Sequence, residues 1–211
     1  MSGSIADVEF VMHNLAENIV ANEQYFGELD AVVGDGDFGY SLARGFEIAL
    51  AGWDDFDRSD PGVFLTRIAA AVSARIGGTS GPIWGTAMLR AGVQLKEHPQ
   101  IEGADVVRAL RASIEGIKTR GQADVGDKTL LDALVPAVDV LETEVDAGHS
   151  AKQVLDAMAE AADVAAENTK TMQAMRGRAS YTGERSIGSV DAGAKAVAVL
   201  LKALAEAWPE D

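Results

Sequence analysis

The sequence predicts an all-α fold in one domain spanning residues 1–211, an up-down arrangement of about eight antiparallel helices. Three observations predict it. Apolar residues recur at steps of three and four along nearly the whole chain, the spacing of a helix face turned to a core. Helix-start and helix-stop residues fall where that spacing begins and ends. Strand signal is confined to Ala31-Val32-Val33, a run too short and unpartnered to seed a sheet.

Each element has its own stripe. The first carries Val8, Met12, Leu15 and Ile19, and the second Leu42, Phe46 and Ala49. The third carries Leu65, Ile68, Val72 and Ile76, opened by Asp60-Pro61 as N-cap and first helical residue. The fourth follows Pro82, also read as a first residue, with Met88, Leu89 and Val93. The fifth has Val107, Leu110, Ile114 and Ile117, and the sixth Leu131, Leu134, Val138 and Leu141. The seventh runs through Val154, Met158, Ala161 and Ala165 behind a Ser150/Gln153 capping box. The last carries Val197, Leu200, Leu201 and Leu204. With 47% apolar and 24% charged residues, the composition supports a packed core rather than disorder.

Net charge bounds the partners. At −15, the surface repels a nucleic-acid backbone, so no nucleic-acid partner is expected. The absence of cysteine excludes disulfides, thiolate nucleophiles and zinc-thiolate sites. No signal peptide is read in the first residues and no apolar run reaches membrane-spanning length, so a cytoplasmic protein without a membrane partner is expected.

Loop placement narrows the site. In an up-down bundle successive loops alternate between the two ends. "GDGDFG", "GGTSGP", "GQADVGDKT" and "RGRASYTGERSIGSVDAG" each join an odd helix to an even one, so all four glycine-rich loops gather at one end. "AGWDDFDRSDPG", "KEHPQIEGAD" and "DAGHS" gather at the other as ordinary solvated turns. Loops on a rigid scaffold carry chemistry, and the segregation points to one site at one end.

"GDGDFG" satisfies G-x-G-x-x-G, but a dinucleotide fold needs a preceding strand and neutral residues beside the phosphates, and Asp35 and Asp37 intrude. An EF-hand fails as well, because Tyr40 stands at its glycine position and Phe46 at its bidentate acid. Two readings remain: an acidic, solvated surface turn, or Asp30, Asp35 and Asp37 as oxygen ligands of a hard divalent cation. Mg²⁺ takes such ligands and is usually completed by substrate phosphates. The company of three other glycine-rich loops favours the metal. A helix starting after this loop adds N–H donors for an anion.

Thr79 and Ser80, with Gly77 and Gly78 before them, offer hydroxyls and free N–H groups suited to phosphate or ribose. "GQADVGDKT" has one residue too many for a P-loop; Asp127 is instead read as an N-cap, and Gly121 as a place where a flat base can approach. The loop of Arg176, Arg178 and Arg185 is long enough to be a lid, with Asp191 and Gly193 capping the last helix. Ion pairing with surface carboxylates accounts equally well for each arginine alone. His13, His98 and His149 lie outside these loops, and Trp53, Trp84 and Trp208 read as packing anchors.

Four quoted stretches, "GDGDFGYSLARGF", "GGTSGPIWGT", "RGQADVGDKTLLDALVPA" and "GRASYTGERSIGSVDAGA", resemble the nucleotide-binding L subunit of dihydroxyacetone kinases, a domain also fused into ATP-dependent ketose kinases. The resemblance covers essentially the whole chain. It implies an eight-helix barrel with an ADP/ATP site at one end and two Mg²⁺ ions held by Asp30, Asp35 and Asp37. It implies phosphate contacts from Phe38, Gly39, Tyr40, Ser41, Thr79 and Ser80, with Gly121 and Leu130 at the adenine. Arg178, Asp191, Ala192 and Gly193 fall around the lid, and Arg178 takes the catalytic role. The ketose is held by a partner K subunit, and in some members a phosphohistidine M subunit recharges bound ADP. Phe38 departs from the His or Thr of many members, so only its backbone N–H is available to a phosphate. Two other readings stand beside phosphotransfer: a Mg²⁺-dependent hydrolase of ADP-ribose-type substrates, and a non-enzymatic, nucleotide-loaded regulatory subunit.

Overall fold

A computed structural model of the chain describes residues 2–78 and 80–209. Its first stripe lies within one rod, and an additional short helix follows before the first glycine-rich loop. The Ser4 hydroxyl accepts the Ala6 N–H and the Asp7 carboxylate accepts the Ser4 N–H, opening α1 (Ile5–Ala21) with a capping box. The helix stops at Asn22, and a separate α2 (Glu23–Ala31) follows. Phe26 is the one buried residue of α2. Burying one aromatic of this kind contributes roughly 1.5–3 kcal/mol, so α2 hangs on a single anchor and on its crossing with the next helix.

The remaining rods are α3 (Phe38–Ala51), α4 (Pro61–Ser73), α5 (Ser80–Leu95), α6 (Gly103–Gly121), α7 (Leu131–Asp146), α8 (Ala151–Asn168) and α9 (Ala192–Ala207). Nine α-helices therefore stand among the described residues where about eight were expected, because the short α2 intervenes between the first stripe and the first glycine-rich loop. Short 3₁₀ turns cover Trp53–Asp55, Thr169–Thr171 and Arg178–Ser186. Two strands absent from the sequence reading, β1 (Ser2–Gly3) and β2 (Ile101–Glu102), pair antiparallel, with two residues each. Ala31-Val32-Val33 forms the end of α2 and a turn, not a strand.

From α3 onward each long helix packs on the next along the chain, α1 packs on α3, and α9 packs on both α8 and α1, which closes the ring. The core is lined by Ile19, Phe26, Leu42, Phe46, Phe64, Ile68, Val72, Ile117, Leu131, Val138, Leu141 and Val154, all essentially without solvent exposure. Two stripes sit one residue away from expectation. On α5 the buried face is Ile83, Gly85, Met88, Gly92 and Leu95, while Leu89 and Val93 face solvent. On α8 the buried alanines are Ala162 and Ala166.

Caps follow the sequence with two exceptions. Asp60, Ser150 and Asp191 accept the N–H groups of Val63, Gln153 and Ala194, as their positions predict. Pro82 is the third residue of α5, still within the first turn where its missing N–H costs nothing. Asp127 caps no helix: Thr129 Oγ1 takes the Leu131 N–H, and Asp132 accepts the N–H groups of Thr129 and Gly126.

Candidate functional site

Chain geometry gathers the three aspartates. Asp30 is the penultimate residue of α2, Asp35 sits in the turn, and Asp37 immediately precedes α3. Gly36, at φ +76°, takes a conformation that L side chains rarely adopt, and its N–H reaches back to Asp30 Oδ2 at 2.9 Å. The chain therefore reverses within a few residues. One carboxylate oxygen from each aspartate lies within 4.8 Å of the others. On a single octahedral Mg²⁺ neighbouring oxygens lie about 3 Å apart and opposite ones about 4.2 Å, so the cluster approaches the spacing of such a ligand set and would close further around a cation.

Electrostatics supports the fit. Burial raises the Asp30 carboxyl above its ordinary range, against the N–H groups of Phe38 and Gly36, which lower it; the charges of Asp35 and Asp37 add to the rise. A cation among the three reverses that balance. Asp35 Oδ2 also receives Arg178 Nε at 2.6 Å, so the first glycine loop and the long fourth loop meet here.

At the start of α3, the Phe38 side chain turns inward, its ring centroid 6.1 Å from that of Phe26. Its aromatic ring belongs to the core, which leaves the backbone N–H as its only polar offering. Gly39 is buried at the α2–α3 crossing, where a Cβ would come 2.0 Å from the Glu23 carbonyl oxygen. Tyr40 is exposed, with the Arg44 guanidinium 5.0 Å from its ring centroid. Ser41 lies below Gly77, bringing the first and second loops together. Ser80 opens α5, and Thr79 lies outside the described residues.

Gly121 ends α6 against Ile83, a Cβ there standing 3.0 Å from Ile83 Cδ1. Leu130 precedes α7 and packs beside Gly193 of α9, a Cβ on that glycine falling 3.3 Å from Leu130 Cβ. Asp191 caps α9, and Ala192 is its first residue. Two residues here escaped the sequence reading. Lys128 is buried, its ammonium donating to the carbonyl oxygens of Met172, Ser186 and Ser189, and Asp132 is the buried acceptor that shapes the third loop. A lone lysine inside a glycine-rich acidic loop was the available signal for the first.

Burial pushes the Asp191 carboxyl up to about 7 from 3.8, with Asp132 adding to the rise, while the Ala194 and Gly193 N–H groups and Lys128 oppose it. The sign follows directly. The folded state holds this proton more tightly than the unfolded state, so the contribution is complete below pH 3.8, declines as pH rises and is gone above about 7. Asp191→Asn keeps an acceptor for the cap and removes the charge. Thermal melts without nucleotide or magnesium, from pH 5 to 8, are expected to show the parent losing stability relative to the Asn variant; parallel curves would refute the burial argument.

Among the described residues, no helix is long and apolar enough to cross a membrane. The DAK2 domain family model matches residues 32–206. The chain is 35% identical over 187 residues to the PEP-dependent dihydroxyacetone kinase, ADP-binding subunit DhaL, of Escherichia coli (strain K12), covering 89% of each. It is 38% identical over 199 residues to the L-erythrulose 1-kinase of Mycolicibacterium smegmatis, covering 93% of this chain and 34% of that protein. A crystal structure of the dihydroxyacetone kinase from C. freundii in complex with AMP-PNP and Mg²⁺ superposes with a TM-score of 0.78 at 27% identity. That superposition covers 99% of this chain and 35% of the C. freundii chain, so the present chain spans about a third of that enzyme.

Proposed function

The chain belongs to the DAK2-domain family, and from that premise we propose that it is the ADP/ATP- and Mg²⁺-binding subunit of a dihydroxyacetone kinase. On this reading it passes a phosphoryl group to dihydroxyacetone, or to a similar short ketose, held on a partner K subunit. The observation that carries it is the convergence of Asp30, Asp35 and Asp37 beside the N-terminus of α3, with Arg178 reaching over from the fourth loop. The relatives named above are kinases or kinase subunits, which supports phosphoryl transfer over hydrolysis.

Asp30, Asp35 and Asp37 would hold the magnesium, as two ions, and when bound these supply charge neutralisation across the nucleotide phosphates. The N–H groups of Gly39 and Tyr40 and the Ser41 hydroxyl would face the phosphates from the first turn of α3, where the helix dipole favours negative charge; the Phe38 N–H lies against Asp30 and the Ser41 N–H bonds the Asp37 carbonyl. The Ser80 hydroxyl, and that of Thr79, add donors from the second loop. Gly121 and Leu130 form the apolar floor for adenine, beside Ile83 and Gly193. Asp191, Ala192 and Gly193 close that side.

Arg178 is the exposed cation over the cluster. Its side chain is 66% exposed, and its bond to Asp35 competes with cation binding at the same carboxylate. With a cation at Asp35, that carboxylate would no longer need the guanidinium, and Arg178 would be available to stabilise developing charge on the transferring group. Arg178→Ala is expected to lower kcat by about 10³-fold, the lower range for an arginine in this role, with a much smaller change in KM for ATP. Steady-state kinetics with a ketose-binding partner measures it; an unchanged kcat removes Arg178 from the mechanism.

The partner surface lies at the same end. Val32, Tyr40, Val125, Met175, Tyr181 and Ile187 are exposed large apolar side chains on three of the four gathered loops. Such a collar around an acidic mouth suits a protein that must present its own substrate there. A phosphohistidine protein that recharges bound ADP would use the same opening, and a cytoplasmic location is consistent with such partners. Nucleotide affinity measured calorimetrically with and without Mg²⁺ tests the reading. Strong dependence on Mg²⁺, with ketose phosphorylation only when the K subunit is added, is expected; equal affinities, or nucleotide breakdown by the chain alone, would overturn it.

A further inference from the structure

Lys128 is 2% exposed in a loop whose neighbours are solvated, and its backbone holds φ at +60°, the region that favours glycine and asparagine. A lysine stays there only if its surroundings fix it. An ammonium has three N–H donors, and each here meets a carbonyl: Met172 at 3.2 Å, Ser186 at 2.5 Å and Ser189 at 2.7 Å. All three acceptors belong to one segment, residues 172–189. No ion pair joins Lys128 to a carboxylate among the described residues, so carbonyl dipoles answer its charge, with Asp191 acting from farther away.

The neighbouring residue ties the same segment. The Met175 N–H donates to the Asp127 carbonyl at 3.0 Å, and Arg176 Nε to the Asp127 carboxylate at 2.9 Å. Within the segment the Ala174 N–H bonds Ser186 Oγ at 2.9 Å, and just before it the Lys170 carbonyl accepts the Gly188 N–H at 2.8 Å. Arg178, which reaches Asp35, lies two residues beyond Arg176.

We propose that Lys128 is a positioning residue that pins residues 172–189 into a preformed cover over this end of the barrel, aiming Arg178 before nucleotide arrives. A cover ordered in advance loses less conformational freedom on binding, which is where pre-organised sites gain affinity and rate. Arginine is no substitute, because its planar fork cannot point three donors at carbonyls that converge on one atom. The inference rests on the nucleotide reading of this end, but order in the cover is measurable with no nucleotide present.

The test uses the full chain and amide hydrogen exchange read by mass spectrometry. In the nucleotide-free parent, the amides of Ala174, Met175, Ile187 and Gly188 are expected to be protected. In Lys128→Met they are expected to exchange at least 10-fold faster while α4 to α8 are unchanged, with Mg²⁺–ADP affinity about 10-fold weaker. Lys128→Arg should resemble Lys128→Met. Because Lys128 acts through Arg178, its substitution should lower kcat in the parent and have little further effect in Arg178→Ala. Unprotected cover amides in the parent would overturn the proposal, whether or not the variants fold. So would faster exchange spread evenly over the barrel, or kcat losses that multiply in the double variant. A parent that binds no Mg²⁺–ADP sinks the nucleotide reading and leaves the exchange result to stand by itself.

Discussion

Asp37→Asn is expected to lower affinity for Mg²⁺–ATP by about 10²-fold, or about 2.7 kcal/mol, while leaving the metal-free protein as stable as the parent or slightly more so. Asp37 is the cleanest probe of the cluster. It is exposed, makes no side-chain cap to α3 and has no ion-pair partner among the described residues, so its removal breaks no bond of the fold. Without a cation it stands near two other carboxylates, and like charges about 4 Å apart in water repel by about 1 kcal/mol. Relief of that repulsion sets the upper limit of the gain. Asp30 is a poorer probe, because it also receives the Gly36 N–H that folds the loop. Calorimetric titration and thermal melts with and without Mg²⁺ check both halves of the expectation. Parental Mg²⁺–ATP affinity in Asp37→Asn, or a clear loss of metal-free stability, would break the assignment of this residue to metal binding.

Gly39→Ala is expected to destabilise the protein by about 3 kcal/mol, the top of the usual range for overpacking. The new Cβ would meet the Glu23 carbonyl oxygen at 2.0 Å and the Gly27 nitrogen at 2.6 Å. Both are backbone atoms of α2, so no side chain can swing away. The two helices must part by an ångström or more, and Phe26 is the one fully buried side chain of α2. At roughly 2–4 °C per kcal/mol for a domain of this size, Tm should fall by about 6–12 °C. Asp30 travels with α2 and Asp37 with α3, so Mg²⁺–ATP binding should weaken in the same variant. Gly52→Ala is the control: a Cβ there sits 3.5 Å from the Ile48 carbonyl oxygen, an ordinary contact, and its Tm should stay close to the parent. A parental melting curve for Gly39→Ala would mean that the crossing is looser than described.

Much of this was legible in the chain. The spacing of Leu42, Phe46 and Ala49, or of Leu65, Ile68, Val72 and Ile76, reports a buried helix face, and all seven residues are buried. The alternation of loops placed the glycine-rich connections at one end, and the contacts Asp35–Arg178, Ser41–Gly77 and Asp127–Arg176 draw them together. What escaped has physical causes. On α5 the close-packed face is built partly of Gly85 and Gly92, which carry no apolar signal, so the exposed Leu89 and Val93 drew attention instead. On α8 a run rich in alanine defines its face weakly. The break at Asn22 leaves no proline or glycine as a marker. Asp127 has the composition of a cap, but Arg176, distant in sequence, claims its carboxylate. Long-range partners of this kind cannot be read from local pattern, and Lys128 was missed for the same reason.

The seam where α1 and α9 lie side by side joins the first rod of the ring to the last. Closing a loop of nearly the whole chain carries the largest entropic cost of any contact in such an architecture, although that cost grows only slowly with loop length. α9 also touches α2, the helix that carries Asp30. The acidic turn is therefore braced from both sides of the ring, by α3 next to it in the chain and by α9 from far along it. Trimming α9 should therefore loosen the helix that carries Asp30, although the two are far apart in sequence.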